Sequence, residues 1–294
     1  MKRLGLITAL LLSSSACGGK SAPDMPPASE FPAAGESAKT LIRAPGENAR
    51  VLRYAAKAGD KNTADMDIDM SISGGGVDMS FKMQIGAESA VDEVDDKGTF
   101  KQSMTITSAT MKLGGELAAM GGDTSQIGDM LKGQKMSFKM DNQGRVLEAD
   151  MGEGNPMMQQ MQAGMDQAMQ GGVVPFPSDA VGVGAQWDAL TTVDMMGAKM
   201  RMVSSYKLVE LNGDKGTLEI AIGGNAEAQK MNMQGAGEVD LKSMNMKATG
   251  KIGFDLARPT AGSVDLKMNI EMDLSAQGQS ATMKMDMGIK MTSK

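Results

Sequence analysis

Histidine is absent from these 294 residues, cysteine occurs once, and aromatic residues number nine. Each scarcity removes a class of chemistry. Without imidazole there is no Ser-His-Asp triad, no Cys-His dyad and no zinc site of the ordinary His/Cys kind, so no catalytic residue is assigned and no cofactor is expected. A lone cysteine makes no internal disulfide, and the fold must hold together by packing. Basic residues number 30 against 36 acidic ones and form no stripe able to neutralise phosphates, which excludes nucleic acid as the expected partner. The usual core formers are thin as well. Beyond residue 16, Leu, Ile, Val and Phe make up 45 of 278 residues, a 16% share in the range of disordered chains.

Methionine fills the gap, with 31 residues beyond position 16, and its placement is regular. From Val264 to Leu274 every second residue is apolar (Val264, Leu266, Met268, Ile270, Met272, Leu274), and Asp265, Lys267, Asn269, Glu271 and Asp273 stand between them. The same period of two recurs at Met66–Ile72, Met79–Ile85, Met136–Met140 and Met283–Met291. Alternation with one polar side marks antiparallel strands that have one face in solvent. Turn signals at Gly74-Gly75-Gly76, Asp141–Gly144, Asn212–Asp214, Arg258–Gly262 and Ser275–Ser280 divide the chain into about a dozen strands. Between Leu241 and Met244 the apolar phase switches, which calls for a bulge or turn at Lys242-Ser243. The expected fold is mainly β: a large curved antiparallel sheet or half-barrel over 51–294, with one or two short Met-rich helices. The sheet divides into possible halves at 51–152 and 175–294, joined by a helix over 156–170. That helix starts at Asn155-Pro156 and carries Met157, Met161, Met165 and Met169 at four-residue spacing. A shorter helix is expected near Asp123–Lys132, stopped by Gly133.

The N-terminus has the three parts of an export signal: Lys2-Arg3, an apolar run from Leu4 to Leu12, and Ser13–Ala16 before Cys17. The run is too short to span a bilayer, which takes about 20 apolar residues. A cysteine directly after small residues resembles the lipobox of bacterial lipoproteins, although Ser14 stands where that family usually has Leu. The resemblance implies cleavage before Cys17, acylation of its thiol, and anchoring to a membrane through the N-terminal lipid. Gly18, in the position where the retention signal of enteric lipoproteins is Asp, implies the outer membrane. Residues 1–16 are then a signal peptide. Residues 17–50, with five of the nine prolines, read as a tether reaching roughly 30 Å. The segment Phe176-Pro177 to Trp187, with Val181 and Gly184, is similar to the mid-chain segment of uncharacterised β-rich bacterial lipoproteins and implies two β halves meeting there. The architecture also resembles periplasmic lipoprotein carriers and lipid-binding half-barrels.

Other constellations carry little. Asp65, Asp67 and Asp69 begin like a calcium loop, but Met70 and Gly76 stand where it needs Gly and Glu. They read as an outward ladder of acids. Asp92, Glu93, Asp95 and Asp96 read as residues solvating a turn. Ser204 and Lys207 have the spacing of a nucleophile pair but fall on opposite faces of a strand. The remaining unusual chemistry is the thioether. A Met-rich concave face that accepts an apolar or lipid-like ligand is the expected function, with Met157, Met161, Met165, Met169, Met268, Met272, Met283, Met285 and Met287 as its residues. Two alternatives stand beside it. One is a structural or protein-interaction lipoprotein without a small ligand. The other is Cu(I) bound by thioethers at Met231-x-Met233, Met244-x-Met246 or Met283–Met291.

If Cys17 carries the anchor, Cys17→Ala should move the protein from the membrane to the soluble fraction on cell fractionation. Unchanged membrane partition would remove the lipobox reading.

Overall fold

The computed structural model describes residues 23–34, 36–115, 118, 124–150, 173–195, 198–233, 237–276 and 279–294. The expected helix over 156–170 lies outside them. Among the described residues the chain is almost wholly β. The first meander contains β3 (Lys61–Gly74), β4 (Val77–Val94), β5 (Phe100–Gly115), β6 (Lys135–Met140) and β7 (Val146–Asp150). The second contains β9 (Gln186–Met195), β10 (Ala198–Asn212), β11 (Lys215–Ala226), β13 (Gly237–Asp255), β14 (Arg258–Ala276) and β15 (Gln279–Ser293). A short β12 (Gln229–Met233) pairs β13, and β1 (Lys39–Ala44) pairs β9. All of these join one antiparallel sheet of 13 strands in the order β1-β9-β10-β11-β13-β14-β15-β3-β4-β5-β6-β7. Nearly every neighbour in that order is also a neighbour in sequence. The exceptions are β1 on β9, β11 on β13 across the short β12, and the central seam, where β15 lies against β3 from Met283↔Gly74 to Ser293↔Ala64. The sheet is therefore open, with β1 and β7 as its edges. A separate pair, β2 (Glu47–Arg50) and β8 (Val181–Val183), stands beside it.

The turns fall where glycine permits them. Gly74, Gly75 and Gly76 all have positive φ between β3 and β4, and Gly213 does so between β10 and β11. The helix α1 (Thr124–Leu131) is the short one read from the sequence, and Gly133 ends it with φ +83°. The phase switch at Lys242 is a register shift between Leu241 and Ser243 on β13. One turn differs from the sequence reading. The β13–β14 hairpin closes at Leu256-Ala257 rather than over Arg258–Gly262, because the Asp255 carboxylate accepts the Ala257 amide at 3.0 Å and completes the bend early.

Within the stretch read as a tether, residues 23–34 and 36–50 hold more structure than their composition suggests. Ile42 pairs with Trp187 in register, and Arg43 Nε donates to the buried Asp188 carboxylate at 2.6 Å, which also accepts from Ser205 Oγ at 2.6 Å. Leu190 and Val203 face away from Trp187 yet are fully buried, on the side where Pro23 meets Gly223 and the Pro32 carbonyl accepts from Thr192 Oγ1 at 2.7 Å. A segment poor in apolar residues builds no core of its own. It can still cover one, and prolines suit a strap that has few backbone donors to satisfy.

One end of the sheet is closed by a plug. Residues 173–177 run between β9 and the β6–β7 turn, with Trp187 Nε1 donating to the Pro175 carbonyl at 3.0 Å and the Phe176 amide donating to the Gln143 carbonyl at 2.8 Å. Beside them the Tyr54 amide bonds the Asn142 carbonyl and the Ala55 amide bonds that of Leu256. Phe176 sits 5.4 Å from Tyr54, 5.1 Å from Phe254 and 6.1 Å from Trp187 between ring centroids, and Trp187 stacks on Tyr206 at 5.4 Å. Five of the nine aromatics thus meet at one place. Gly144 is required there, because a Cβ would lie 2.5 Å from the Val174 carbonyl and 2.8 Å from the Tyr54 ring.

Phe176→Ala should cost about 3–5 kcal/mol of unfolding free energy in a urea titration, since the ring is buried and its neighbours come from β9, β13 and the loop before β3. A loss below about 1 kcal/mol would show that the plug does not hold the ends together.

Candidate functional site

The apolar residues of the period-two segments all fall on one side of the sheet, and the registers line them up across strands. One row runs Ala248, Met268, Met287, Met70, Phe81, Leu113 through β13, β14, β15, β3, β4 and β5. The next runs Met246, Ile270, Met285, Ile72, Met79 over the same strands from β13 to β4. A third holds Leu266, Ile289, Ile68, Met83 and Met111. Neighbouring strands lie about 4.8 Å apart, so each row is a continuous strip of hydrocarbon and sulfur.

This side is not uniformly covered. Around the plug it is sealed, with Trp187, Leu208, Leu218, Phe100 and Met136 at 1% exposure or less. Over the central strands much of the same face is only half-buried, although Met83, Ile270, Met272 and Met285 there are buried. β3 alternates exposed and half-buried without a break from Lys61 to Gly74, and Met268, Met283, Met287, Ile289 and Met291 are half-buried too. Alternation in a sequence says which face a side chain takes; it does not say whether a second layer lies over that face. Two concavities, of about 440 Å³ between Asp24–Glu30 and β1 and about 180 Å³ beside Phe254 and Arg258, lie away from these rows. The candidate site is thus an open face rather than an enclosed hollow.

The sequence-selected residues divide accordingly. Met268 faces Met287 across β14 and β15, and Met272 faces Met283. Met272 and Met285 are buried at 5%, at the margin where the face closes. Met157, Met161, Met165 and Met169 lie outside the described residues. Sequence reading passed over Met200, Met202 and the pairing of Met246 with them, although alternation marked each strand. It gave no order for β10, β11 and β13, and only that order brings these side chains together.

The opposite side is a network of charge. Lys82 pairs with Asp69 at 3.0 Å, Gln84 donates to Asp67 at 2.8 Å, Asn269 donates to Asp286 at 2.9 Å, and Lys294 reaches Asp65 at 3.4 Å. The acids of the supposed calcium loop are the outward ladder, spent on cross-strand partners. Asp273 accepts from Thr282 Oγ1 at 2.7 Å and Ser243 Oγ at 2.8 Å, and these bonds hold its carboxyl below the usual carboxylate range. Asp95 accepts the Thr99 and Lys97 amides, so it ties the β4–β5 turn. Burial pushes the Tyr206 phenol up to about 12 and the Tyr54 phenol higher, so neither supplies a base near neutrality. Among the described residues no three His, Cys, Asp or Glu side chains are grouped to hold a metal ion, and no helix is long and apolar enough to cross a membrane. Comparison with family models and with curated proteins finds no match.

Exposure makes a measurable division within the face. Met246→Ser, in the sealed part, should cost about 3 kcal/mol in a denaturant titration, and Met287→Ser, in the open part, about 1 kcal/mol or less. Equal losses would mean that both sites are equally covered in solution.

Proposed function

We propose that this protein is a lipoprotein of the cell envelope, anchored through Cys17, that performs no catalysis and holds an apolar, lipid-like molecule against the half-exposed rows of β3, β4, β14 and β15. One observation carries the reading. A single apolar face is sealed with aromatics at one end and left half-open over its long central strands, whose other side is fully polar. Contiguous apolar surface of this extent costs free energy in water unless something covers it.

The residues there suit a guest more than a fixed partner. Methionine has three soft torsions and a polarizable sulfur, so a Met row re-packs around varied shapes. From Met66 to Ile72 the half-buried apolar residues span roughly 20 Å along β3 at about 3.3 Å per residue. One leaflet of a bilayer core is about 15 Å deep, so an acyl chain lies along this strand with room to spare.

A fluorescent apolar probe tests the reading directly. The folded protein should bind it saturably and release it to competing phospholipid, and Met287→Asp paired with Ile68→Asp should abolish the signal while circular dichroism stays β. Absence of saturable binding by the folded wild-type chain would overturn the proposal.

A further inference from the structure

We propose that Met200, Met202 and Met246 form a binding site for a soft monovalent cation, Cu(I), above the bare backbone of Gly224. The register sets them around one point. Gly224 on β11 stands opposite Met202 on β10 and Met246 on β13, and Met200 is two residues from Met202 on the same face. A Cβ placed on Gly224 would meet Met246 Cε at 3.2 Å, Met200 Sδ at 3.3 Å and Met202 Cγ at 3.3 Å. In each of the three residues the sulfur is either the touching atom or bonded to it. Three thioethers from two strands therefore meet over a spot that only a glycine leaves open.

The donor set selects the ion. Thioethers are neutral and soft, which suits Cu(I) and offers nothing to Ca²⁺ or Mg²⁺, which need oxygen. A neutral ligand set also favours a single positive charge, because each further charge in an apolar surrounding costs more desolvation. Met200 and Met246 are buried at 0% and 1%, and Met202 is half-buried. Two sulfurs thus form a floor, and the third lies on the side from which an ion can arrive. The open Met268-Met287-Met70 row also sets three thioethers side by side across β14, β15 and β3, but the register gives it no comparable point of convergence.

Met200 and Met202 on β10 lie outside the rows proposed to hold a lipid, and Met246 borders them beside Ile270; the two readings are separable, because Met→Leu keeps apolar volume and removes only sulfur. The test is an anaerobic titration of the whole chain with Cu(I) against a competing Cu(I) chelator, followed by NMR of ¹³C-methyl methionine. One equivalent should bind, with shifts centred on the methyls of Met200, Met202 and Met246. Met200→Leu and Met246→Leu should each weaken binding by more than the roughly tenfold loss that follows removal of even a supporting group. Gly224→Ala should weaken it as well without removing a ligand, and Met287→Leu should leave it unchanged. Uptake by Met246→Leu equal to that of the wild type, or shifts spread over the half-exposed methionines, would overturn the assignment. Apolar-probe binding by Met200→Leu, which lies in none of the rows of the open face, should equal that of the wild type, so failure for Cu(I) leaves the lipid reading standing.

Discussion

The structure depends on the contact between Phe176 and the rings around it. A sheet of 13 strands that is not closed has β1 and β7 at the two ends of its order among the described residues. The plug supplies the missing constraint by bonding the β6–β7 turn at Gln143 and receiving the Trp187 indole from β9, near opposite edges of the sheet. Aromatic area is what makes so short a segment sufficient, because each ring buries roughly 150–250 Å² and packs with a defined geometry. A chain this poor in aromatics places most of them at this one junction.

The two ends of the apolar side are consequently unlike. Around the plug the rings have few rotamers and fixed edges, so the packing is directional. Toward Met200, Met231, Met244 and Met246 the buried residues are thioethers, whose torsions allow many arrangements of similar energy. A core of the second kind specifies shape less sharply. The sheet reaches it with its architecture already set by the long antiparallel ladders of β13, β14 and β15.

Strands, turns and the bulge at Lys242 were legible because each is written locally, in alternation and in glycine. The segment 173–187 was also visible as a motif, but its role was not. A Val-Pro-Phe-Pro run says only that the backbone is extended, and its partners lie on elements more than a hundred residues apart. The strap from Pro23 onward was hidden for a related reason: edge pairing and docking need partners, and proline content describes only the free chain. Half-exposure of the central rows was beyond alternation altogether. Met268 and Met272 belong to one uninterrupted pattern, yet Met268 is half-buried and Met272, opposite the buried Met244, is covered.

The seam between β15 and β3 orders events in time. Each meander zips from hairpins whose strands are close in sequence, but Lys294 exchanges both backbone bonds with Thr63 across more than two hundred residues. Such pairing has a large loop-closure cost and forms late. Until the last fifteen residues exist, β3 presents an unpaired inner edge carrying Met66, Ile68, Met70 and Ile72. A growing or truncated chain is then a template for other strands. During synthesis the chain is most exposed to self-association between the completion of β14 and the pairing of β15.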